Sequence, residues 1–153
     1  MDITMERTID ILNDLILINS DRSTFYEKAM KQIISDDREL VQVFKTLAGD
    51  SRKYLYELAG HLDPSGQEFI KVIPPTSGRI YKEWANEKRI SSGKDRDGLL
   101  ITAESVEEAI EKAYTDAMQQ DTTEEVKQVI AVQKNNLRRS YDKIKNLQQV
   151  QHI

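Results

Sequence analysis

The sequence predicts an all-α protein built on four long helices. Three observations carry this prediction. Apolar residues recur at three-and-four spacing along four long segments, and no stretch of useful length alternates as a strand would. Gly and Pro also gather in one block, with Pro64, Gly66, Pro74, Pro75, Gly78, Gly93 and Gly98 inside it and only Gly49 and Gly60 before it. That block divides the chain into two helical halves. At 153 residues the chain has the length of one domain, spanning 1–153, enough to bury about 70% of its unfolded surface.

The first helix is expected from about Met5 to Ser35, burying Ile9, Leu12, Ile16, Ser23, Tyr26, Met30 and Ile34. The second, from about Asp37 to Leu62, starts at an Asp36-Asp37 cap signal and buries Leu40, Phe44, Leu47, Ser51, Tyr54 and Leu58. Only a tight turn separates them, so they are expected to lie antiparallel. A crossover over about 63–93 follows, with a short helix from Ser77 to Ile90 that places Ile80, Trp84 and Lys88 on one side.

The third long helix, about Lys94 to Gln120, carries the stripe Leu99, Leu100, Ala103, Val106, Ile110, Ala113, Tyr114 and Ala117. The fourth, about 123–150, begins at the capping box Thr122-Thr123-Glu124-Glu125. Its inward face reads Val126, Val129, Ile130, Gln133, Leu137, Ser140, Tyr141 and Ile144. Two antiparallel helical hairpins joined by a long crossover that contains a short helix have the connectivity of a ferritin-like four-helix bundle.

Composition narrows the function classes. The chain carries 22 basic and 26 acidic residues, a net charge of −4 with the signs mixed along its length, which argues against a nucleic-acid surface. No cysteine is present, so thiol catalysis, disulfides and cysteine-ligated metal sites are excluded. The first residues lack a basic leader region and a small-residue cleavage site, and the longest apolar run there, Leu15 to Ile18, is far too short to span a membrane. These features predict a cytoplasmic protein without a membrane span. No phosphate loop, nucleophile elbow or dinucleotide fingerprint is found, and the basic residues of Arg138 to Lys145 are mixed with acid.

Four segments are similar to those of a bacterial family, the domain of unknown function 2383: LNDLILINSDRSTFYEKA at Leu12 to Ala29, FKTLAGDSRKYLYEL at Phe44 to Leu58, SGRIYKEW at Ser77 to Trp84, and ESVEEAIEKAYTDAM at Glu104 to Met118. The resemblance covers nearly the whole chain. It implies a ferritin-like bundle with no established activity to carry over. In the third long helix the family pattern Glu-Arg-Gly-Glu-Asp matches Glu104, Glu107 and Glu108, with Ser105-Val106 between. The fourth has Tyr141-Asp142 where the family often has His-Asp, which removes a metal ligand.

Glu107 is the main candidate functional residue. Counting about 100° per residue, it lies about 40° from Ala103, inside the apolar stripe. A carboxylate there must be paired, protonated or bound to metal. A di-iron site in such a bundle needs Glu-x-x-His pairs, and none occurs here; Glu57 and His61 stand four apart near a helix end and read as a surface pair, and His152 lies in the tail. The favoured reading is a polar core layer of Ser23, Ser51, Glu107, Gln133 and Asn136, with Ser140 and Tyr54 within a turn. The alternative is an iron or manganese site using Glu104 and Glu107. On the layer reading Glu107→Leu is expected to be neutral or stabilising.

A second apolar stripe, Ile11, Leu15, Ile18 and Phe25, lies about 100° to 140° from the inward face of the first helix and stops where Arg22 replaces the next member. It needs cover, either from the crossover helix with Trp84 or from a second subunit, giving a homodimer or higher homo-oligomer. Together these features predict a non-enzymatic structural or interaction protein acting as an oligomer, with no cofactor.

Overall fold

A computed structural model describes residues 3–33, 37–62, 78–87 and 93–150. The described residues form five α-helices and no strand: α1 (Ile3–Gln32), α2 (Arg38–Gly60), α3 (Arg79–Asn86), α4 (Arg96–Met118) and α5 (Glu124–Val150). α2 starts where the sequence signals it, because the Asp37 side chain accepts a hydrogen bond from the Leu40 amide at 3.1 Å. α4 starts one residue past Asp95, which accepts from the Gly98 amide at 2.8 Å. The crossover helix is shorter than expected, and Ser77, Lys88 and Ile90 lie outside the described residues, as do Ile34, Ser35 and His152.

α1 packs chiefly on α2 and α4 chiefly on α5, while α3 touches α1 and α4. Partners run in opposite order along each close pair: Tyr26 meets Phe44, and Asn19, earlier in α1, meets Ser51, later in α2. Likewise Glu104 reaches Lys145 whereas Tyr114 reaches Gln133. The apolar residues form two clusters. One holds Tyr26, Leu40, Phe44, Leu100 and Ile144, the other Leu12, Leu58, Ile110, Ile130 and Leu137. Between them along the helices stand buried polar residues, among them Asn19, Arg22, Ser51 and Ser140.

The second stripe of α1 lies largely against the crossover helix α3. Ile11, Leu15 and Ile18 are buried in one cluster with Ile80 and Trp84 of α3, and Phe25 is half-buried against both clusters. Burying a side chain of this size is worth about 1.5–3 kcal/mol, so α3 supplies the cover that Ile11, Leu15 and Ile18 demand. Two carboxylates of α1 fasten α3 there. The Asp14 carboxylate accepts from the Gly78 amide at 2.7 Å and the Tyr81 amide at 3.3 Å, standing in for the cap side chain that Gly78 lacks. One heptad further on, Asp21 accepts from the Tyr81 hydroxyl at 2.8 Å and the Trp84 indole at 3.1 Å. A Cβ at position 78 would lie 2.7 Å from an Asp14 oxygen, which is why glycine stands there. Among the described residues no helix is long and apolar enough to cross a membrane.

Candidate functional site

Glu107 is fully buried, and its partner is Arg22, equally buried. The α4 stripe turns Glu107 toward α1, and the heptad that carries Leu15 carries Arg22 into the same layer. Arg22 Nη2 donates to Glu107 Oε1 and Nε donates to Oε2, both at 2.8 Å, the bidentate geometry that a planar guanidinium offers a carboxylate. The Tyr26 hydroxyl donates to Oε2 at 2.8 Å. Arg22 Nη1 donates to the Ser51 hydroxyl at 2.8 Å and to the Leu47 carbonyl at 3.3 Å.

From Ser51 the network continues across the core. The Ser51 hydroxyl donates to Asn19 Oδ1 at 2.9 Å, and Asn19 Nδ2 donates to the Leu15 carbonyl and to the Tyr114 hydroxyl, each at 2.9 Å. The Tyr114 hydroxyl donates to Gln133 Oε1 at 2.6 Å, and Gln133 Nε2 ends the chain on the Tyr54 carbonyl at 3.3 Å and Glu57 at 2.7 Å. All four long helices contribute. Each hydroxyl and amide has its donor and acceptor roles assigned by its neighbours, so no proton is free to change place without breaking the sequence of bonds.

Electrostatics holds the charge states. Burial lowers the Arg22 pKa, but the charge and hydrogen bonds of Glu107 outweigh it and keep the guanidinium protonated above its ordinary value. Burial, reinforced by the Glu107 charge, pushes the Tyr26 hydroxyl well above its usual range, and burial does the same to Tyr114 despite the bond from Asn19. Tyr54 is pushed up to about 12 by burial and the nearby Asp50 charge. These three hydroxyls therefore stay protonated at neutral pH. The arrangement locks charge in place; it offers neither a general base poised near neutrality nor an exposed nucleophile.

Of the layer anticipated from sequence, Ser51, Glu107 and Gln133 enter this network. Ser23 does not: it bonds outward, to Glu27 at 3.2 Å and from Arg52 at 3.1 Å. Asn136 is half-buried, with its carbonyl accepting from Ser140 within α5. Asn19, Arg22, Tyr26 and Tyr114 supply the rest. Glu104 and Glu107 take different partners. Glu104 turns to α5, accepting from Lys145 and Gln148 at 3.0 Å each; burial raises its pKa, but these bonds and the Lys145 charge outweigh it and hold the carboxyl below its ordinary value. Glu57 is engaged by Gln133, and His61 Nδ1 lies 3.4 Å from the Glu125 carboxylate instead. Among the described residues no group of three or more His, Cys, Asp or Glu side chains is placed to hold a metal ion.

A family model described as Domain of unknown function (DUF2383) matches residues 7–120, well over half the chain. The chain belongs to this family. The DUF2383 match takes in every residue of the network except Gln133, and both carboxylates that dock α3. No curated protein and no solved structure matches the chain.

Proposed function

We propose that this DUF2383 protein is a non-enzymatic, ferritin-like bundle of two antiparallel hairpins that works as a structural or interaction protein in the cytoplasm, and that it acts as an oligomer. The observation that carries this reading is the buried Arg22–Glu107 pair. A guanidinium occupies both oxygens of the one carboxylate buried in the core layer, and the surrounding hydroxyls and amides are spent on fixing its register. Such a layer specifies one alignment of four helices at some cost in stability. A scaffold needs that property. Because the α1 stripe is covered by α3, self-association must use another face.

Sedimentation across micromolar concentrations tests the oligomer, with species heavier than one chain expected and a monomer throughout counting against it. Elemental analysis of protein purified aerobically without chelators tests the non-metal part: iron and manganese are expected well below one per chain, and a full equivalent of either would overturn it.

A further inference from the structure

The outward face of α2 is rich in basic residues. Counting about 100° per residue, Arg38, Lys45, Gly49, Arg52, Lys53 and Tyr56 fall within an arc of about 100° directed away from the core residues Leu40, Phe44, Ser51 and Leu58. No Asp or Glu of α2 falls inside that arc, although the chain carries net charge −4. Arg52 is paired with Glu27 of α1, whereas Arg38, Lys45 and Lys53 are exposed and make no ion pair among the described residues. Tyr56 is 54% exposed beside them.

Gly49 adds an independent observation. It sits in the middle of a regular helix, where glycine is the poorest choice short of proline. Among the described residues nothing requires it, because a Cβ there would meet only the tip of the Arg52 side chain at 3.7 Å, an ordinary contact. It stands one turn after Lys45 and one turn before Lys53, so the face has a notch between two unpaired cations. A notch of this kind lets the backbone of another helix approach closely, and the flanking cations select what that helix carries.

We propose that the outward face of α2 binds an acidic helix of a partner protein, laid across Gly49 with its carboxylates on Lys45, Lys53 and Arg38 and its apolar side against Tyr56. A second copy of the same face is a poor occupant, since a two-fold contact would set these cations against themselves. The stripe is also narrow. Glu39, Asp50 and Glu57 lie on its flank about 40° to 60° beyond Lys53, and they oppose a broad polyanion such as a duplex or an anionic bilayer while leaving room for a rod. This inference rests on the interaction reading above but not on self-association.

The test uses the full chain and an Ala-based helical peptide of about six turns with Glu at every fourth position, titrated by fluorescence anisotropy. The peptide is expected to bind and to bind more tightly as salt falls. The Arg38→Glu/Lys45→Glu/Lys53→Glu variant should lose at least about tenfold in affinity with its fold intact. Gly49→Ala supplies the sharper arm: it should raise Tm by about 2–4 °C, as a better helix former whose Cβ makes only an ordinary contact with Arg52, yet weaken the peptide. Absence of peptide binding, variants that bind as the natural chain does, or tighter binding of duplex DNA or phosphatidylglycerol vesicles would each overturn the proposal. Sedimentation of the chain alone reads self-association separately.

Discussion

α1 buries charge in two places, and it compensates each differently. In the centre, Arg22 meets a carboxylate of α4, so two opposite charges satisfy one another and drag a set of hydroxyls and amides into order. On the outer side, Asp14 is almost wholly buried with no cation paired to it among the described residues; its oxygens are met by the free amides at the start of α3, the positive end of a short helix. The first solution couples long helices that the apolar clusters already hold together. The second fastens a helix of eight residues that would not persist alone. Loss of one partner should therefore strain the whole core in the centre, and release one element at the edge.

The largest effect should come from the centre. Glu107→Leu leaves the Arg22 guanidinium buried and unpaired, and is expected to cost about 3–5 kcal/mol in denaturant unfolding. This reverses the neutral outcome that a lone carboxylate among hydroxyls would give. The double variant Arg22→Met/Glu107→Leu should regain most of the loss, because apolar side chains of similar volume replace a buried pair with little penalty. A double variant no more stable than the single one would show that the pair is not the coupled unit described.

A smaller effect is expected at the edge. Asp14→Ala strips the cap from α3 and should cost about 1–2 kcal/mol, with faster amide exchange and red-shifted Trp84 emission confined to that helix. If exchange rose equally through α2 and α5, the edge would be part of the core and the contrast would fail.

The smallest effect is a pH dependence. Burial raises the Asp14 pKa above its ordinary 3.8, only partly offset by the Gly78, Tyr81 and Ile80 amides and aided by the Asp10 charge. A raised carboxyl binds its proton more tightly when folded. Its contribution to stability is thus fully present below 3.8 and is lost as pH rises through the raised folded value. Asp14→Asn should remove that slope, so the stability difference between natural chain and variant should shrink in the variant's favour as pH rises across that window. A difference independent of pH would show that the amides fully compensate the burial.

Much of this arrangement is legible in the residues alone. The capping signal at Asp37, the four apolar stripes and the central block of Gly and Pro specify the helices, because those depend on neighbours within a few positions. Glu107 is legible for the same reason, as a charge inside a stripe. Arg22 is not. In sequence it looks like a charged residue ending an outer stripe, and only its heptad relation to the buried Leu15 hints at the interior. Ser23 and Asn136, which the register count places in the layer, are turned out of the network by rotations that local periodicity does not resolve.

The sequence by itself determined that the protein is helical, where its long helices begin, and that one carboxylate had to find compensation inside the core, since periodicity and capping are local. Only the tertiary structure decided that the compensation is Arg22, that Asp14 and Asp21 fasten the crossover helix over the second stripe, and that Lys45 and Lys53 on the outward face of α2 make no ion pair among the described residues. Each of those depends on how residues far apart in the chain are rotated toward one another, and rotation is set by packing.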